Sequence, residues 1–132
     1  MIVVDTSAMF AIVARENERD TFVKVLDQTD AAVCSSVTYL ETVMVLTGRS
    51  RAVAKSAVEE LLRAFAIEVT PVDRIVTDAA IDAFDRYGKG RHRASLNLAD
   101  CFSYALAKSR KAPLLFKGDD FSQTDIAAAW QP

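Results

Sequence analysis

Three carboxylates in this 132-residue chain stand where carboxylates are costly. Asp5 is the only charged residue in positions 1–14, Glu41 the only one between Asp30 and Arg49, and Asp100 the only one between Arg93 and Lys108. Each interrupts a stretch apolar enough to be buried. An ionised carboxylate taken out of water without a partner costs on the order of several kcal/mol, or else keeps its proton. None of the three stretches supplies a cation of its own, so a shared divalent ion is the simplest compensation. Oxygen donors without His or Cys favour Mg²⁺ or Mn²⁺ over Zn²⁺, and Mg²⁺ retains several waters, so few protein ligands suffice. An ion of this kind acidifies a bound water and offsets negative charge that develops in a reaction beside it. Each acid also has a plainer role open to it. Asp5 has the chemistry of a helix cap, Glu41 could pair with an arginine of another helix, and Asp100 falls in a first helical turn, where the dipole favours a negative charge.

The elements that would carry these acids alternate between strand and helix. Ile2–Val4 reads as a short buried strand, followed by a helix capped by Thr6 or Ser7 and running to about Arg15, then a second helix over 16–28. A strand over 31–34 leads into a helix capped by Ser35 or Ser36 and stopped at Gly48, a favourable C-terminal residue. Apolar residues at 53, 57, 58, 61, 62 and 65 mark an amphipathic helix over 50–65. A strand over 66–69 follows, then a helix capped by Asp73 and ending near Tyr87, a basic loop over 88–95, and a helix from the Asn97 cap to about Arg110. Strands over 113–116 and 126–130 close the chain. This order predicts one α/β domain over residues 1–132, a parallel sheet with helices on both faces. Ligands of such sheets lie beyond the carboxyl ends of the strands. Asp5 follows the first strand directly, Asp119 and Asp120 follow the fourth, and a helix start at Asp100 opens on the same edge.

Charge is distributed unevenly. Residues 86–117 hold eight of the sixteen basic residues and one acid, a local charge of +7 in a chain whose net charge is −2. A stripe of that kind suits an anionic partner met by one face, or a solvated surface. Several other chemistries are excluded. The run Gly88-Lys89-Gly90-Arg91 follows a predicted helix and lacks the third glycine of a dinucleotide fingerprint. His92 is the only histidine and suits a ligand-facing or surface position better than a catalytic triad. Cys34 and Cys101 form neither a disulfide framework nor a metal motif. No stretch reaches the length of a membrane span and the first residues carry no basic leader pattern, so a cytoplasmic protein is expected.

The segments that hold the acids resemble a known family. The start I-V-V-D-T-S-A, Glu41 in Y-L-E-T, the block Y-G-K-G-R-H-R-A-S-L-N-L-A-D-C-F-S-Y-A-L-A-K and the run L-L-F-K-G-D-D-F-S-Q-T-D-I are together similar to PIN-domain ribonucleases, and more closely to the toxins of VapBC toxin–antitoxin modules. The resemblance covers essentially the whole chain. It implies a three-layer α/β/α sandwich, a Mg²⁺- or Mn²⁺-dependent endoribonuclease, a homodimer and inhibition by a cognate VapB-like antitoxin. By position it implies Asp5 and Asp100 as the principal metal ligands and Glu41 as the third acid. The family often has a D-x-D-F pattern, and here Gly118 replaces its first acid. Asp120, just before Phe121, fits the retained acid better than Asp119 does. Thr6, Ser7 and Asn97 would support the ligands, while Lys89, Arg91, His92, Arg93 and Lys117 would hold the RNA. Two further readings are a receiver-like signalling domain, with Lys117 as its lysine, and a non-catalytic RNA-binding module. The first is weakened by the lack of an acid pair after the first strand, the second by the presence of all the acids.

Overall fold

The computed structural model describes residues Met1–Pro132. Four short strands form one sheet of order β3-β2-β1-β4, every pair parallel. They are β1 (Ile2–Val4), β2 (Ala32–Ser35), β3 (Ile67–Thr70) and β4 (Leu114–Leu115). Six helices connect them: α1 (Thr6–Val13), α2 (Arg19–Gln28), α3 (Ser36–Thr47), α4 (Ala54–Ala64), α5 (Arg74–Tyr87) and α6 (Leu98–Arg110). Parallel strands need long crossovers, and pairs of helices supply them here.

Alternation along the strands divides the core into two layers. Ile2, Val4, Ala32, Cys34 and Leu115 face one cluster with Met9, Phe22, Leu46 and Val58, from α1 to α4. Val3, Val33 and Leu114 face the other, with Ala83, Tyr104 and Leu106 from α5 and α6. The result is a three-layer α/β/α sandwich with a central parallel sheet. Buried on both faces, β1 and β2 contain only residues that tolerate a dry environment.

The register sets the edge that matters for function. Val3 pairs with Val33 and Leu114, and the Asp5 amide donates to the Leu115 carbonyl at 3.0 Å. The chain leaves β1 toward β2 on one side and returns as β4 on the other. The sheet order therefore reverses at β1, where crevices open in folds of this type.

Several local expectations are corrected. Asp5, rather than Thr6 or Ser7, caps α1, its Oδ2 accepting from the Ser7 amide at 3.0 Å. Helix α2 begins at Arg19 rather than residue 16, and Glu16 and Glu18 just before it pair with Lys117. Helix α4 starts at Ala54 rather than residue 50. No side chain caps it, and Ala54 is the first residue to enter the core. Gly48 ends α3 with φ −60°, so the left-handed freedom of glycine is not used there. The last segment is not a full strand: it makes one bridge, Leu114 to Ala128, while Trp130 packs edge-on against Phe22 at 5.5 Å. No helix is long and apolar enough to cross a membrane.

Candidate active site

The carboxyl end of β1 delivers Asp5 to the bottom of an open cleft of about 440 Å³. Only 3% of Asp5 is exposed, and it sits there because the N-cap of α1 must follow the strand without a linker. Three donors hold its carboxylate. Oδ2 accepts from the Ser7 amide at 3.0 Å and from Ser7 Oγ at 2.7 Å; Oδ1 accepts from Ser103 Oγ at 2.7 Å. Ser7 Oγ in turn accepts from the Lys117 amide at 3.0 Å, which ties α1 to the turn after β4.

Glu41 enters the cleft from the middle of α3, one turn after Thr38 on the same face. Burial raises its carboxyl above the ordinary range and the Asp5 charge adds to this, while the facing Thr6 hydroxyl acts in the opposite sense. The buried Thr6 Oγ1 makes no hydrogen bond of good geometry.

Asp100 arrives at the start of α6 through a capping box. Asn97 Oδ1 accepts from the Asp100 amide at 2.9 Å, and Asp100 Oδ2 accepts from the Asn97 amide at 3.1 Å. The plainer role considered for Asp100 and its place in the cleft therefore coexist, since the cap engages Oδ2. Burial pushes its carboxyl up to about 7, and the charges of Asp5, Glu41 and Asp120 push in the same direction against the Asn97 amide.

The structure thus brings Asp5, Glu41 and Asp100 to one cleft lined also by Thr6, Ser7, Phe10, Glu16 and Gly118. They share the cleft without closing on a point: no three His, Cys, Asp or Glu side chains converge tightly enough to hold an ion by themselves. Asp120 lies within electrostatic reach of Asp100. Asp119 faces a neighbouring hollow with Lys117 and Ser122. Gly118 turns the chain just before both at φ +102°, a conformation that would strain an aspartate. Cys101 points away into the core beneath α6, its thiol pushed up by burial to about 11.

Several of the basic residues are already engaged. Lys117, the only one lining the cleft, pairs with Glu18 at 3.1 Å and Glu16 at 3.3 Å. Arg91 pairs with Asp85 at 3.8 Å and lies over the Phe84 ring. His92 Nδ1 accepts from the Ala94 amide, and its ring meets Tyr87 edge-on at 5.0 Å. Arg93 and Lys89 are exposed on the same loop, whose base is closed by a bridge between Gly88 and Leu96 immediately before the Asn97 cap.

Sequence reasoning missed Ser103, Thr38, Glu16 and Glu18. Ser103 carried a usable signal: a hydroxyl in a buried helix, three residues after Asp100 and so on the same face. The two glutamates carried none, because their partner is a hundred residues distant.

Comparison with known proteins gives the family and the fold. A family model described as the PIN domain matches residues 2–127. Ribonuclease VapC30 of Mycobacterium tuberculosis is 40% identical over 131 residues, 99% of this chain and 100% of that one. The crystal structure of Mycobacterium tuberculosis VapC20, described as a sarcin-ricin loop cleaving toxin, has a TM-score of 0.81 at 19% identity, covering 100% of both chains. A toxin–antitoxin complex from Klebsiella pneumoniae gives 0.74 at 13% identity, again over 100% of both chains. These two structures share the fold. The chain belongs to the PIN-domain family, within which it is a VapC-like ribonuclease, the toxin of a toxin–antitoxin pair.

Proposed function

We propose that the cleft is the ribonuclease centre and that it works with a divalent cation, Mg²⁺ in preference to Mn²⁺, held by Asp5 and Asp100. One observation carries this reading: three carboxylates at least half-buried in one cleft, with the only basic residue lining it already neutralised by two glutamates. The donor set fits a hard ion, being all oxygen, and two carboxylates plus water suit the hydration that Mg²⁺ retains. When bound, the ion supplies a more acidic water and relief of charge on the phosphate.

The residues of the chain do the rest. Ser7 and Asn97 orient Asp5 and Asp100, and Thr6 faces Glu41. Glu41, its carboxyl raised by burial, accepts a proton from the attacking water. Asp120 completes the acid set, and Asp119 flanks it. Lys89, Arg91, His92, Arg93 and Lys117 hold the RNA backbone, with Lys117 leaving its glutamates when phosphate approaches. RNA is presented as an unpaired loop, because A-form duplex hides its bases. A VapB-like antitoxin covers the cleft with a basic side chain, since a guanidinium satisfies clustered carboxylates. The toxin acts in the cytoplasm as a homodimer and a single domain.

Excess EDTA tests the central point. Purified protein should lose RNA cleavage in chelator and regain it with added Mg²⁺. Undiminished cleavage in EDTA would remove the cation from the mechanism.

A further inference from the structure

A chain of buried hydroxyls runs from α3 to the cleft. Thr38 Oγ1 lies 3.1 Å from Ser103 Oγ, and Ser103 Oγ lies 2.7 Å from Asp5 Oδ1. Thr38 and Ser103 are both 0% exposed. The proton order in this chain is fixed by chemistry. An ionised carboxylate only accepts, so Ser103 donates to Asp5, and the proton between the two hydroxyls must then come from Thr38. Thr42, one turn along α3, donates to the Thr38 carbonyl at 2.8 Å. On the other oxygen, Ser7 Oγ accepts from the Lys117 amide, so its own proton also goes to Asp5. A carboxylate offers about four lone-pair sites. Two on Oδ2 are taken by Ser7 and one on Oδ1 by Ser103, which leaves a single site on Oδ1.

We propose that Ser103 is a positioning residue for Asp5, and that the Thr38–Ser103 relay fixes the one direction in which this carboxylate meets a cation. The inference rests on the reading of the cleft as a cation site. Outer hydrogen bonds of this kind set the orientation of a ligand, and their loss costs roughly 10–100-fold in metal affinity.

The test is Mg²⁺ titration of the whole protein by calorimetry, beside RNA cleavage at limiting and at saturating Mg²⁺. Ser103→Ala should weaken Mg²⁺ binding roughly tenfold or more. Its cleavage should recover at saturating Mg²⁺, with the KM for RNA unchanged, a rescue that a merely structural role does not produce. Thr38→Val should shift affinity in the same direction by less, and Thr38→Ser, which keeps the hydroxyl, should restore it. This pair also serves if Ser103→Ala fails to fold. Ser109→Ala, whose hydroxyl donates to the Leu106 carbonyl at the far end of α6, should change nothing. Wild-type binding with unaltered affinity in Ser103→Ala, or in both Thr38 variants where only those fold, overturns the relay alone. No Mg²⁺ binding by the wild type overturns the cation reading and the relay with it.

Discussion

The two ends of α6 each hold an aspartate, and they are built in opposite ways. At the C-terminal end, Asp125 accepts from the Tyr104 hydroxyl, from Lys108 Nζ at 3.1 Å, and lies 3.6 Å from Arg86. Its carboxyl is held below the ordinary range, first by Tyr104 and then by Lys108 and Arg86. At the N-terminal end, Asp100 is more deeply enclosed, and the charges that act on it are those of Asp5, Glu41 and Asp120, so its carboxyl rises to about 7. The helix dipole favours both arrangements, acid at the start and lysine at the end. What differs is the source of the compensating charge. Asp125 is neutralised by the chain itself and serves the fold, fastening the last segment onto α5 and α6. Asp100 receives no compensating charge from the chain, which supports the cation site proposed above.

The comparison is tested most severely by activity. Asp100→Asn and Asp5→Asn should each lower RNA cleavage by roughly 100-fold or more, because each removes charge from the place where the reaction develops it. Asp125→Asn should leave the rate within a factor of about two. Equal losses at the two ends of α6 would erase the distinction.

A smaller effect separates the two acids after β4. Asp120 contributes to the charge felt by Asp100, and no such effect of Asp119 is resolved. Asp120→Asn should cost roughly tenfold in cleavage, and Asp119→Asn less. The reverse order in a parallel assay would exchange their roles.

Stability against pH distinguishes the ends by sign. In chelator, folded Asp100 retains its proton up to about 7, whereas the unfolded chain releases it near 3.8. The native state therefore binds more protons in that window, and stability falls as pH rises from about 4 to about 7. Glu41, also raised, adds to the slope. Asp100→Asn should flatten this fall and melt higher than wild type at pH 8 without metal. A lower melting temperature there would make Asp100 a structural acid.

Asp125 has the opposite sign, its contribution being present above the normal carboxylate pKa and lost as pH falls below it. Because the group is 43% exposed, Asp125→Asn should cost only about 1 kcal/mol. That is a drop of a few degrees in thermal midpoint by calorimetry. An unchanged midpoint would show that solvent screens the cluster completely.

Much of this was legible in the sequence because it depends on local pattern. Short, mostly apolar runs separated by helices point to a parallel sheet covered on both faces, and all four principal strands fall within a residue or two of expectation. The lone acids were visible for the same reason: a single charge in a buried segment stands out without any knowledge of its neighbours. Asn97 and Asp73 announced their helices because capping is a contact within four residues. What tertiary structure decided is everything that depends on distance in space. Sequence could not show that Lys117 is spent on Glu16 and Glu18, that Arg86 and Lys108 meet at Asp125, or that Ser103 reaches Asp5 across 98 positions. Nor could it show that a cap and a place in the cleft coexist for Asp5, the cap engaging Oδ2 while Oδ1 accepts from Ser103 and keeps one lone-pair site. Charges and hydroxyls carry no periodicity of their own; their partners are set by which strand ends meet at one edge of the sheet, and only the packed fold fixes that.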